Sequence, residues 1–134
     1  MTKKELSEYY WTKKNIEKLE EKLLEIDAQL TRVTTRYTLV LTKNGSKDIL
    51  GELIAKKIEI EEEINKKLKK GYELLRKIEN AIKILPQREQ HLIRARYIEC
   101  KKWAEICEEM HYSWPQVHRI HNKALDKLKK HDTQ

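Results

Sequence analysis

Leu85-Pro86-Gln87-Arg88-Glu89, then Trp103-Ala104-Glu105-Ile106-Cys107, then Ser113-Trp114-Pro115-Gln116-Val117-His118-Arg119-Ile120: these three runs decide the fold of this chain of 134 residues. Pro86 cannot continue a preceding helix, disfavours helical geometry at Leu85, and suits the first turn of a new helix. A boundary therefore falls at about residue 85. Pro86 to Glu99 then predicts a first short helix with Leu92, Ile93, Ala95 and Tyr97 as core positions. Lys102 to Met110 predicts a second, with Trp103, Ile106, Cys107 and Met110 turned inward. His111-Tyr112 forms the turn, and Ser113 carries the hydroxyl that caps a third helix. On that helix Val117, Ile120, Ala124, Leu125 and Leu128 share one face at helical spacing. Trp114, Gln116, His118, Arg119, Asn122 and Lys123 lie opposite them.

Three short helices with a tight turn before the last are the pattern by which a small module lays one helix in the major groove of DNA. The outward residues suit that use. Arginine donates two hydrogen bonds to guanine, and glutamine or asparagine pairs with adenine. Lys123, Lys127, Lys129 and Lys130 extend the helix as expected phosphate contacts, which position a protein without reading sequence. Lys101 and Lys102 are expected to add to them at the start of the second helix.

Outward from this module, the first half of the chain repeats apolar residues at Ile16, Leu19, Leu23, Ile26, Leu30, Val33 and Tyr37. Spacings alternate between three and four, the heptad of a coiled-coil seam. Ile16, Leu19, Leu23, Ile26 and Leu30 are accordingly the expected oligomerisation stripe. Leu6, Tyr9, Tyr10 and Trp11 extend it irregularly as an aromatic cap on the bundle end. Thr34, Thr35, Tyr37, Thr38, Val40 and Thr42 lower helix propensity, and Asn44-Gly45-Ser46 is a turn signal, so residues 36–48 are expected to be a connecting loop. A second long helix is expected from Ile49 to Ile84, with Gly71 marking a close contact or a bend. The two helices predict an antiparallel hairpin that dimerises through its apolar stripe. The whole is an all-α chain, residues 1–84 a helical hairpin for oligomerisation and residues 85–134 a DNA-binding helix-turn-helix.

Composition agrees with long solvated helices: 38% of residues are charged, with 3 Gly, 2 Pro and no Phe. The net charge is +7 and the pI about 9.3, which favours an anionic partner. All five histidines lie after residue 90 and add donors near the basic end. Cys100 and Cys107 give no disulfide framework and read as reduced thiols. No apolar run approaches the ~20 residues that span a bilayer, so the expectation is a cytoplasmic protein of a bacterial host cell.

The frame Leu85, Arg88-Glu89, Arg96-Tyr97, Glu105-Ile106, Ser113, Val117, Ile120, Lys123-Ala124-Leu125 and Leu128 resembles region 4 of bacterial sigma-70-type factors. Arg96-Tyr97-Ile98-Glu99, Trp103, Tyr112-Ser113 and Val117-His118-Arg119-Ile120-His121 are similar to small phage and prophage proteins of the RinA/ArpU type, late-gene regulators that join such a module to a helical segment. The resemblance implies that helix 113–130 enters the major groove of promoter DNA, with Trp114, Pro115, Gln116, His118 and Arg119 facing it. It also implies RNA polymerase as a further partner. Pro115 and Gln116 stand where sigma factors carry charged residues, so the target need not be a housekeeping promoter element. Lys102 replaces the Ser/Thr cap of the second helix, and His111 the turn glycine, a change that histidine tolerates. With no stretch resembling the regions for −10 recognition or core-polymerase clamp binding, a complete sigma factor is not expected.

Other classes fare worse. Cys100, Cys107, His118 and His121 have the spacing of no standard zinc finger, so no metal is expected. No Gly-rich phosphate loop or catalytic motif occurs, and neither an enzyme nor a cofactor is expected. The expected function is sequence-specific double-stranded DNA binding in transcription control, activating phage or mobile-element genes as a homodimer or higher homo-oligomer. The competing expectation is an adaptor that docks on RNA polymerase or another regulator through the same module without reading DNA.

Overall fold

A computed structural model describes residues 1–39 and 44–132, with side chains for 1–36 and 48–132. The described residues are all helical or connecting, without a strand: α1 (Lys3–Leu39), α2 (Asn44–Ile82), α3 (Gln87–Ile93), α4 (Trp103–Met110) and α5 (Trp114–Asp132). α3 continues directly into a π-helical turn, Arg94–Ile98. Much of the stretch expected as a loop over 36–48 is helical, since α1 reaches Leu39 and α2 starts at Asn44. Threonine lowers helix propensity partly by competing for backbone partners. Here Thr31 and Thr35 donate to the carbonyls of Asp27 and Thr31, at 2.9 and 2.8 Å, and remain inside the helix. Residues 40–43 and the side chains of Tyr37, Thr38 and Ser46 lie outside the described residues.

By compactness the chain divides inside the two long helices rather than at Pro86. One unit is residues 14–69, a pair of antiparallel helical segments. Ile16 and Leu19 are buried with Ile64, flanked by Leu23, Ile60 and Leu68, and Lys57 pairs with Asp27 at 2.9 Å. The seam residues Ile16 and Leu19 are thus covered by α2 of the same chain, which already occupies part of the stripe expected to drive oligomerisation, and Ile26 is buried as well. Leu24, Ile54 and Ile58 are instead exposed, at 70%, 44% and 50%. Leu24 follows the seam residue Leu23, and Ile54 follows Leu53. The same step of about 100° in two antiparallel helices puts both on one side of the pair.

The other unit is residues 1–13 with 70–134. Its core joins Leu6 and Met1 of the N-terminal segment to Ile78, Ile82 and Leu85 and to Leu92, Ile93, Ala95, Tyr97, Ile106, Val117, Ile120, Ala124 and Leu128. Every core position expected on the first and third short helices is buried there, except Leu125, which is half-buried. Tyr9 and Tyr10 pack on this core, whereas Trp11 stays exposed. Gly71 is buried, and a Cβ there would meet Thr12 and Tyr9 at ordinary contact distances of 3.9 and 4.0 Å. It marks close packing without requiring glycine. Lys13 donates to the Ile98 carbonyl at 2.6 Å, placing a cation at the negative end of the π turn.

Candidate nucleic-acid interface

The turn between α4 and α5 is built as its sequence anticipates. His111 takes the left-handed conformation, φ 58°, with its N–H on the Glu108 carbonyl, while Tyr112 N–H reaches the Cys107 carbonyl. Ser113 and Gln116 form a reciprocal cap. Gln116 N–H donates to Ser113 Oγ at 3.4 Å, and Ser113 N–H donates to Gln116 Oε1 at 2.9 Å. Lys102 supplies no side-chain cap to α4; its carbonyl accepts from Ile106 N–H at 3.1 Å.

The start of α5 is therefore fixed, and Trp114, Pro115, Gln116, Arg119, Asn122 and Lys123 are exposed on it. Two of the expected base contacts depart from simple readers. Gln116 commits its carboxamide oxygen to the cap, so it lacks the paired donor and acceptor of an adenine reader while the cap is closed. His118 is half-buried between two indoles, with ring centroids 4.6 Å from Trp103 and 4.5 Å from Trp114. Its Nε2 is buried without a hydrogen-bond partner.

The expected phosphate contacts also divide. Lys102, Lys123, Lys129 and Lys130 are exposed. Lys101 bridges Glu99 at 3.0 Å and Glu109 at 2.8 Å, and those carboxylates raise the pKa of its ammonium. Lys127 lies 3.0 and 2.9 Å from the two carboxylate oxygens of Glu89. Glu89 is only 2% exposed, in the first turn of α3, where the helix dipole favours an anion. Lys127 thus ties α5 to α3 from within the module.

One cation was not foreseen as a contact. Arg88 lines a shallow groove with Tyr112, Gln116, Arg119, Ile120 and Lys123, its guanidinium 6.0 Å from the Tyr112 ring. The available signal was its exposed place two residues after Pro86. Three cations from two helices around one groove suit a phosphate oxygen. Behind them, buried His121 meets the Tyr97 hydroxyl at 2.7 Å. Burial pushes the Tyr97 phenol up to about 12 and holds the His121 imidazolium down to about 4, with Lys3, His118 and Arg96 opposing a further charge. Among the described residues no three His, Cys, Asp or Glu converge as metal ligands, and no helix is long and apolar enough to cross a membrane.

No curated protein and no solved structure matches the chain. Residues 81–130 match the family model for sigma-70, region 4, a stretch that begins in the last turn of α2 beside Ile82 and ends near the last turn of α5. The C-terminal part of this all-helical chain is a sigma region 4-like helix-turn-helix.

Proposed function

We propose that the protein is a transcription regulator that binds double-stranded promoter DNA, reading the major groove with α5. Following its resemblance to RinA/ArpU-type regulators, it activates phage or mobile-element genes and works beside RNA polymerase. The observation that carries this reading is the exposed, basic start of α5, where Arg119 and Lys123 adjoin Arg88 across one groove. Arg119 and Asn122 act at base edges; Arg88, Lys102, Lys123, Lys129 and Lys130 act on phosphates.

The test uses DNA selected from a random duplex pool by the full chain. Arg119→Ala is expected to lose ~1–3 kcal/mol of binding and to relax specificity at one base position. Lys129→Ala is expected to weaken binding to all sequences and reduce the salt slope by about one ion. Lys127→Met, in contrast, is expected to lower thermal stability, because it strands the Glu89 carboxylate. Co-purification with RNA polymerase that survives nuclease, together with no salt-dependent DNA binding, would establish the adaptor role instead.

Self-association belongs to the same proposal. The exposed side bearing Leu24, Ile54 and Ile58 supports pairing of two copies, which would favour paired half-sites on DNA. Ile54→Glu with Ile58→Glu is expected to convert a dimer to a monomer in sedimentation velocity without unfolding the helices. A wild-type chain that sediments as a monomer on its own and on DNA rejects the pairing.

A further inference from the structure

Trp103 opens α4 and Trp114 opens α5, and His118 lies one turn beyond Trp114. Their rings form a contiguous cluster: His118 is tilted against Trp103 at 4.6 Å and 43° and against Trp114 at 4.5 Å and 50°, and the two indoles meet edge-on at 6.4 Å. Arg96 backs the inner indole, its guanidinium 4.7 Å from the Trp103 ring and its Nη1 donating to the Lys101 carbonyl at 3.0 Å. The cluster is anchored inside and open outside. Trp103 is half-buried against the module's core, whereas Trp114 is 53% exposed.

A histidine that reads a base must present a ring nitrogen to the groove. His118 Nε2 is buried and unpartnered, so this nitrogen reads no base, and the ring packs between the two indoles. A tryptophan at the first position of a groove-entering helix presents an apolar edge where the duplex offers one apolar group, the C5-methyl of a pyrimidine. Resting on the DNA-reading function above, we propose that Trp114 is a specificity-determining reader of a thymine C5-methyl group and that His118 is its positioning residue. Trp103 and His118 together hold the outer indole in one orientation, so little freedom is lost when the methyl is met.

The experiment compares duplexes of the selected sequence in which each thymine in turn is replaced by uracil, which removes only the methyl. The full-length wild type is expected to lose about fourfold in affinity at one position, the factor for burying one methyl, and no more than twofold elsewhere. Trp114→Ala is expected to bind the thymine and uracil duplexes equally. His118→Leu keeps a shelf without a nitrogen and should retain the methyl preference. His118→Ala removes the shelf and should lose it, with the circular dichroism melting curve reporting that the module is still folded. Uracil tolerated at every position by a wild type that still selects its sequence overturns the proposal, as does a His118→Leu variant that loses both affinity and preference. A wild type without sequence-selective DNA binding overturns the reading on which the proposal rests, a result distinct from either.

Discussion

Leu6→Ala is expected to destabilise the helix-turn-helix unit by about 2–5 kcal/mol, although Leu6 lies 81 positions before Gln87, where the first short helix begins. The side chain is fully buried, in one core with Ile78, Ile82, Leu92 and Leu128. Its loss removes apolar contact and leaves a cavity that the surrounding packed helices fill only in part. A domain of this size has a net stability of about 5–15 kcal/mol, so the change consumes a large share of it. Chemical denaturation followed by the tryptophan signal reads the effect, because Trp103 and Trp114 both belong to this unit. The same reasoning concerns the isolated fragment 85–134. Without Leu6, Ile78 and Ile82 it exposes the underside of its core and is expected to melt without a cooperative transition. A fragment that unfolds as sharply as the full chain, or a Leu6→Ala variant of unchanged midpoint, would show the N-terminal segment to be dispensable.

That dependence marks where sequence reading stops. The three short helices were legible because their information is local. A proline stop, a serine cap and a 3.6-residue apolar period each act within a few positions, and Val117, Ile120, Ala124 and Leu128 are buried as that period requires. The heptad of α1 was equally legible as an apolar stripe, but a stripe does not name what covers it. Ile16 and Leu19 meet Ile64 in their own chain. Leu6 looked like an irregular extension of the heptad, and only tertiary packing assigns it to the helix-turn-helix core. The interface divides in the same way. Exposure of Arg119 and Asn122 follows from helical phase, whereas the neutralisation of Lys127 depends on Glu89, 38 positions away. The π turn and the left-handed Cys100, φ 58°, carried no composition signal at all.

Acidification from pH 6.5 toward 4 is expected to weaken the helix-turn-helix unit before its carboxylates titrate, with His121 as the cause. Its folded pKa is depressed to about 4 from the ordinary 6.5, first by burial and then by Lys3, His118 and Arg96. The folded state therefore favours the neutral ring. Above pH 6.5 the contribution is fully present, since neither state binds the proton. As pH falls, the unfolded chain protonates first, and stability declines until the folded ring also protonates near pH 4. The gap between 6.5 and about 4 corresponds to about 3 kcal/mol. The carboxylates act lower. Arg94 holds Glu79, Lys70 holds Glu8 and Lys101 holds Glu109 below the usual range, so their ion pairs fail only in stronger acid. The double variant Tyr97→Phe, His121→Phe removes the titrating ring and the hydroxyl it would otherwise strand, a replacement of both partners that leaves neutral-pH stability little changed. Denaturant midpoints measured between pH 7 and 5 should slope for the wild type and run nearly flat for the double variant. Parallel slopes in the two proteins would assign the acid sensitivity to groups other than His121.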